Sequence, residues 1–372
     1  MLVYTDEETL LSDTVQAMLA AASPVSTFRA LRDKGETQNP ALWSEMAELG
    51  LAGVLVPEEA GGSGMGVTAA SLIGTALGQN LAITPFISTS VIAATALKTA
   101  SADLHKESLE QISQGKLTYA LALDEGQKFN PSHIETRAEP YGNGFRLNGE
   151  KSFVVQAGGA DRLLVLARTG DGPDDLTLFS IGAEQAGLEQ QEKAMVDHSD
   201  AARLVLSNLE VTGEDIVGQQ NEAWRVLRPA LFAGQTVLAA EMMGVANGAM
   251  QMTFGYLKDR KQFGVEIGRF QALQHRAAHL WCEAEVSAAA VLNAGRMMDE
   301  NPEQAGLAVS LAKARAIKVA KLAVLEGVQM HGGIGMTDAF DMGFFLKKAQ
   351  VSTEWLGDYG YHAEIIASER GF

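Results

Sequence analysis

Apolar positions recur at intervals of three and four from Leu238 onward, through Met242, Val245, Ala249, Met252 and Tyr256. That spacing predicts one buried face of a long helix. The pattern breaks over the charged, aromatic-bearing stretch Lys261–Gly268 and resumes from Phe270, so a second long helix follows. Segments near 222–258, 268–299, 304–330 and 341–369 read as helices, with Pro229 at a start or kink and Asn301-Pro302 as a break. The alanine-rich run Ala312–Ala320 permits close helix packing, and four long amphipathic helices suit a bundle over residues 216–372.

The first 115 residues also read as helical. Thr5 or Asp6 can cap a helix carrying Leu10, Leu11, Val15 and Leu19, and Asn39-Pro40 introduces a short one through Leu42 and Met46. Helical patterns return at Val67–Leu77, Ser88–Leu97 and Leu104–Ile112, after a glycine-rich turn at Gly61–Gly66. Near Lys116 the period shortens. Leu117–Leu123, Glu135–Ala138, Gly144–Leu147, Leu163–Ala167, Leu176–Ile181 and Leu204–Leu206 read as strands separated by turn formers, Gly149 among them. Residues 116–215 are therefore expected to form a small β domain between two helical ones.

A formal charge of −17 argues against a nucleic-acid surface, which needs clustered Lys and Arg. A phosphate-bearing ligand stays open, because a few local cations or helix N-termini suffice. The one cysteine, Cys282, builds no disulfide framework or zinc cluster and is expected to be a buried structural thiol. The seven histidines form no metal-ligand pattern. The acidic N-terminal stretch lacks a signal-peptide pattern and no apolar run reaches spanning length, so a cytoplasmic protein without stable membrane insertion is expected.

Three motifs stand in order along the chain. They are Pro57-Glu58-Glu59-Ala60-Gly61-Gly62-Ser63-Gly64, then Arg260-x-x-Phe263-Gly264 followed by Phe270-Gln271, then Gln329-Met330-His331-Gly332-Gly333-Ile334-Gly335. Together they resemble the flavin-dependent acyl-CoA dehydrogenases. The resemblance implies an α+β fold of N-terminal helical domain (1–115), middle β domain (116–215) and C-terminal four-helix bundle (216–372), with FAD as cofactor. It implies that Arg260 and Phe263 meet the pyrophosphate and adenine, Gln271 a polar group nearby, and Gln329, Gly332 and Gly333 the adenosine part. The chemistry suits them: a guanidinium fork or bare amides hold a pyrophosphate, and glycine lets main chain approach. The glycines around Pro57 are read first as turn formers, and His331 as a local hydrogen-bonding residue rather than a metal ligand.

Gly149-Glu150-Lys151-Ser152-Phe153-Val154-Val155 matches the family's segment at the flavin ring. Phe153 stands for a tryptophan that packs on the flavin and Val155 for a threonine whose hydroxyl meets it. Leu123-Asp124-Glu125-Gly126 occupies the family's T-E-P region. The family's base is a carboxylate that removes the α-proton of an acyl-CoA while the flavin takes hydride from the β carbon. Its two known positions fall here on Leu356 and Gly234, and the neighbouring arginine becomes Gln235. Asp358, Glu354 and Glu241 are the substitutes to weigh, with a structural role favoured for Glu241.

The runs Gln262-Phe263-Gly264, Phe270-Gln271-Ala272-Leu273-Gln274-His275-Arg276 and His331-Gly332-Gly333-Ile334-Gly335-Met336-Thr337-Asp338 resemble the small-subunit type of heteromeric acyl-CoA dehydrogenases, that of pimeloyl-CoA dehydrogenase included, in which a related chain completes the acyl site. The resemblance implies α,β-dehydrogenation of an acyl-CoA to the trans-2-enoyl-CoA, an electron-transferring flavoprotein as acceptor, and a dimer or tetramer. Three rivals stay open: a homomeric enzyme with a displaced base, a non-catalytic scaffold or FAD-site subunit, and a flavin oxidase.

Overall fold

Thr5 opens the first helix by a reciprocal cap: its hydroxyl accepts the Glu8 amide, and the Glu8 carboxylate accepts the Thr5 amide. A computed structural model describes residues 3–372. Its N-terminal helices are α1 (Asp6–Ala22), α2 (Val25–Lys34), α3 (Pro40–Glu48), α4 (Gly66–Asn80), α5 (Ala94–Ser101) and α6 (Lys106–Ser113). A π-helical stretch, Ile87–Ala93, runs directly into α5. Asn39 caps α3 through the Leu42 amide, with Pro40 in the first turn, as the dipeptide predicts.

Seven strands follow: β1 (Tyr119–Ala122), β2 (Arg137–Tyr141), β3 (Gly144–Val155), β4 (Arg162–Arg168), β5 (Leu176–Gly182), β6 (Leu188–Ala194) and β7 (Asp200–Thr212). They form one mixed sheet. β1 and β2 run parallel to β4 and β5 antiparallel to it, while β2, β3, β7 and β6 pair antiparallel in that order. The expected strand ending at Leu147 runs on to Val155, so Gly149 is not a turn. It sits in β3 at φ +150°, where a Cβ would lie 2.7 Å from the Thr136 Cα. β6 is not among the expected strands; its sequence, LEQQEKA, carries no buried face to announce it.

The C-terminal part holds α7 (Ala223–Asp259), α8 (Gln271–Glu300), α9 (Gly306–His331), α10 (Met342–Glu354) and α11 (Tyr359–Glu369). Pro229 lies inside α7. The single helix expected over 341–369 is two, broken over residues 355–358, so this region has five helices rather than four. The break falls where Leu356 and Gly357 both take positive φ, +57° and +104°.

The chain divides into two compact units. The sheet unit holds Gly35–Ala70 and Ile83–Gly234; the bundle unit holds the chain up to Lys34, Ser71–Ala82 and Gln235–Phe372. The sheet unit's core is built from Leu147, Val154, Leu163, Val165, Ile181 and Leu204, with Phe145 edge-on to Phe179 at 5.7 Å. In the bundle unit α9 packs against α8, α10 and α11. There the α7 stretch 237–246 is buried on every face rather than along the one stripe expected, and Met252 and Tyr256 are only half-buried. α4 crosses α7 at backbone contact: a Cβ on Gly78 would fall 1.9 Å from the Glu241 carbonyl, and one on Gly244 would fall 2.0 Å from that of Thr75. Arg29 and Arg32 of α2 bind Asp341 and Asp338 and lie over the Phe344 ring, at 4.5 and 4.8 Å.

Candidate active site

The sequence-predicted residues fall into three groups. The first lies in the sheet unit. β3 and β7 slip register between Lys151 and Val154, and within that bulge Phe153 takes φ +53°. A bulge re-aims side chains, and a bulky residue at positive φ is held there by its surroundings. Val155 is buried beside it. The 123–126 segment is tied to this stretch: Ser152 N–H donates to the Asp124 carbonyl at 2.7 Å, and Ser152 Oγ to the Gly126 carbonyl at 2.8 Å.

Lys151 is fully buried, donating to Glu125 Oε1 at 2.6 Å and to the Leu123 carbonyl at 3.2 Å. Burial pulls its pKa down to about 8 against the pull of Glu125. Burial alone would raise the Glu125 carboxyl, but Lys151 and the amides of Thr136 and Glu135 bring it below its ordinary value. The two are therefore an ion pair near neutrality. Asp124, by contrast, is pushed up to about 6 by burial, with its Oδ1 buried and unpartnered.

The second group lies on the bundle unit's surface. Lys261–Gln262 and Val265–Glu266 pair as a two-stranded ribbon, β8 and β9. Its loop is Phe263-Gly264, at φ +55° and +81°. Positive φ at both central positions is what a tight hairpin of this hand requires. The F-G of the motif is thus a turn that thrusts the Phe263 ring outward, 92% exposed, edge-on to Phe270 at 6.1 Å. Arg260 precedes the ribbon, exposed and without an ion-pair partner among the described residues, and Gln271 opens α8, exposed.

Gln329, Gly332 and Gly333 lie together at the C-terminus of α9, all exposed. Gly332 sits at φ 65°, ψ −141°, and a Cβ on either glycine would meet nothing within 4 Å. His331 is inward, donating from Nδ1 to the Gly327 carbonyl at 2.6 Å and packed against Tyr256 and Phe340. That agrees with a local hydrogen-bonding role. Pro57 and its glycines likewise shape a turn: Gly61 and Gly64 have positive φ, and a Cβ on Gly62 would strike the Val56 carbonyl at 2.2 Å.

The third group surrounds the family's base positions. Leu356 is 2% exposed, and its carbonyl accepts from Gln235 Nε2 at 3.0 Å and His362 Nε2 at 3.2 Å. A carbonyl only accepts, so the His362 proton is on Nε2. Burial holds that imidazole neutral, its pKa down at about 3. Next to this turn, buried Lys313 donates to the Ser352 carbonyl at 2.7 Å. Asp358 caps α11 through the Tyr361 amide at 2.9 Å. Glu354 ends α10 half-buried. Glu241, 6% exposed, lies 3.2 Å from Lys348 Nζ, an ion pair whose angle falls outside hydrogen-bond range. Gly234 is buried within α7.

Cys282 is exposed, not buried as expected, and its neighbour Trp281 is 55% exposed, because the first half of α8 is uncovered within this chain. Lys313 and His362 were not singled out by sequence, and Asp124 only as part of the 123–126 segment. Lys313 sits in an alanine-rich run that suggested packing, and nothing local marks it as buried.

Residues 5–116 match the acyl-CoA dehydrogenase N-terminal domain and residues 221–370 the acyl-CoA dehydrogenase C-terminal domain. The chain belongs to the acyl-CoA dehydrogenase family. The short/branched chain specific acyl-CoA dehydrogenase of Bos taurus mitochondria is 24% identical over 372 residues, spanning 98% of this chain and 85% of the relative. Among solved structures, the ChsE4–ChsE5 complex from Mycobacterium tuberculosis matches with a TM-score of 0.90 at 25% identity, covering 100% of this chain and 98% of that one. The FAD complex of PigA shares the fold, with a TM-score of 0.88 at 21% identity over 99% and 98% of the two chains.

FAD is the cofactor of this acyl-CoA dehydrogenase chain. Residues of the bundle unit fit its phosphate-bearing part: an exposed guanidinium, Arg260, with no ion-pair partner among the described residues, and open backbone at Gly332 and Gly333. Among the described residues no three His, Cys, Asp or Glu side chains cluster as a metal site, and no helix is long and apolar enough to cross a membrane.

Proposed function

We propose that this chain is one component of a heteromeric acyl-CoA dehydrogenase of the small-subunit type, introducing a trans-2,3 double bond into an acyl-CoA. The observation that carries this reading is the closed base position. Leu356 is buried there, its carbonyl held by Gln235 and His362, while the carboxylate of Asp358 is engaged as a helix cap. The α-proton must go to a carboxylate within hydrogen-bond reach. A related chain supplies that carboxylate.

In this reading Arg260 neutralises the pyrophosphate, Phe263 stacks on adenine with Gln271 nearby, and Gln329, Gly332 and Gly333 hold the adenosine part. Phe153 and Val155 form an apolar wall against the flavin ring and exclude water from it. Bound there, FAD would supply a hydride acceptor for the β carbon, and an electron-transferring flavoprotein would be the onward electron acceptor. Exposed Phe263, Trp281, Val286, Leu325, Ile334 and Met336 support burial of this surface in a dimer or tetramer. That ChsE4 and ChsE5 form a complex of two named proteins supports a hetero-oligomer.

The test is to purify the chain alone and record flavin absorbance per chain, then add long, branched and dicarboxylic acyl-CoAs without oxygen. Bound flavin that bleaches only with a related chain present is expected. Rapid bleaching by the chain alone would sink the reading in favour of a homomeric enzyme.

A further inference from the structure

The turn Gly332–Met336 and the residues leading from it into α10 have few anchors of their own. Gly332 and Gly333 are open to solvent, Ile334 and Met336 expose apolar side chains, and only Gly335 is buried. The hydrogen bonds here are short-range. Thr337 donates to the Ile334 carbonyl from both its N–H and its hydroxyl, and Phe340 N–H donates to the Thr337 carbonyl. Such bonds shape a turn but do not place it on the helices around it.

Placement comes from outside the turn. The His331 ring packs against Tyr256 and Phe340, and two arginines of α2, at the opposite end of the chain, hold the aspartates on either side of Phe340. Arg32 grips Asp338 through both terminal nitrogens, with Nη2 3.1 Å from Oδ2. Arg29 grips Asp341 Oδ1 through Nε at 3.1 Å and Nη2 at 2.5 Å, and its Nη1 lies 3.6 Å from Asp338. Both guanidiniums rest on the buried ring of Phe344, which Phe28 of α2 meets edge-on at 5.0 Å. A planar fork stacked on a fixed ring points in one direction, so this tie sets orientation where a lone surface ion pair does not. Hydrogen bonds from Arg32 hold the Asp338 carboxyl below its ordinary value, which keeps the pair charged at neutral pH.

We propose that Arg29 and Arg32 are positioning residues for FAD: through Asp338 and Asp341 they hold the Gly332–Gly333 main chain in the placement that receives the adenosine part. This rests on the cofactor site described under the proposed function, and it asks for no contact between either arginine and the cofactor. A loop in its binding shape only part of the time binds with an affinity reduced by that fraction. The complex, once formed, is the same. The clamp is therefore read in affinity and in the mobility of the empty loop, not in the bound flavin.

The test is FAD titration by flavin fluorescence quenching for the natural chain, R29Q/R32Q, D338N/D341N and the combined fourfold variant, with hydrogen exchange at residues 332–340 of the FAD-free chains. R296Q, which cuts the ion pair between α8 and Glu8 in the same unit, controls for a general loss of stability. Expected in both double variants is a dissociation constant weaker by about fivefold or more, with no further loss in the fourfold variant. Exchange at 334–337 should quicken in them and slow again with FAD, and the bound flavin should keep its natural absorbance spectrum. R296Q should bind within about twofold of the natural chain. Should a double variant not fold, R32Q alone carries the test at about threefold or more. Affinity within about twofold in R29Q/R32Q, losses that multiply in the fourfold variant, or an equal loss in R296Q overturns the inference and leaves the flavin site standing. No FAD binding by the natural chain removes the flavin site and the inference together.

Discussion

Replacing Lys313 with methionine keeps a long apolar stem in a fully buried position and removes the ammonium. In the folded chain the pKa of that ammonium falls from 10.5 to about 7, because burial opposes the charge more than Glu241, Glu354 and Asp358 support it. Between those values the unfolded chain binds more protons than the folded one, so stability rises with pH through that window. Below about pH 7 both states are charged and the full cost, about 5 kcal/mol at about 1.4 kcal/mol per tenfold, is in place. Between pH 7 and 9 about 2 kcal/mol of it is relieved. Opposing this cost, Lys313 binds the Ser352 carbonyl, one of the last four of α10 and so without a helical partner. A hydrogen bond from a charged donor there contributes about 1.5–3 kcal/mol.

Lys313→Met should therefore match or exceed the natural chain in stability at pH 6. It should then lose about 2 kcal/mol relative to it by pH 9. Urea unfolding of the two flavin-free chains at each pH measures this, since titrating groups remote from Lys313 cancel in the difference. A difference independent of pH, or one that grows in the variant's favour as pH rises, would refute the placement of a buried ammonium at this site.

Three further substitutions probe the remaining groups. Arg260→Gln should weaken FAD binding about tenfold or more by removing a charge-assisted fork, with unfolding unchanged within about 0.5 kcal/mol because the side chain is exposed; an equal loss of stability would mark Arg260 as structural. Lys151→Met leaves Glu125 buried and unpaired and should cost about 3–5 kcal/mol, much of it recovered in the double variant with Glu125→Gln; denaturation midpoints that add simply would exclude the pair. Gln235→Ala leaves His362 alone on the Leu356 carbonyl and should cost about 1 kcal/mol or more. Unchanged hydrogen exchange at Gly357 and Asp358 in that variant would argue against the clamp.

Elements whose signal is local were legible in the sequence. Thr5 and Asn39 cap helices because their side chains satisfy amides within the same turn. The apolar strands β1, β4 and β5 are buried on both faces and read as continuous runs. Features set by distant parts of the chain were hidden. β6 is a mostly polar strand paired only to β7, and its ladder comes from backbone, not pattern. The break at Leu356 depends on Gln235, more than a hundred residues away, for one of its hydrogen bonds. Cys282 sits among apolar neighbours, and whether they are covered is decided outside the local sequence. The candidate cofactor residues and the segment holding Asp124 were found by motif, while the unpartnered oxygen of Asp124 exists only once the chain has folded.

The crossing of α4 and α7 has a mechanical consequence. Gly74 and Gly78 on one helix and Gly244 and Gly248 on the other are each four residues apart, and at Gly78 and Gly244 backbone faces backbone. With no side chain interposed there, no rotamer can rearrange to absorb a shift. The two segments therefore move as a single beam. A displacement of α4 at this crossing is borne directly by the α7 backbone at Glu241, and a lone methyl at Gly78 or Gly244 would pry the beam apart.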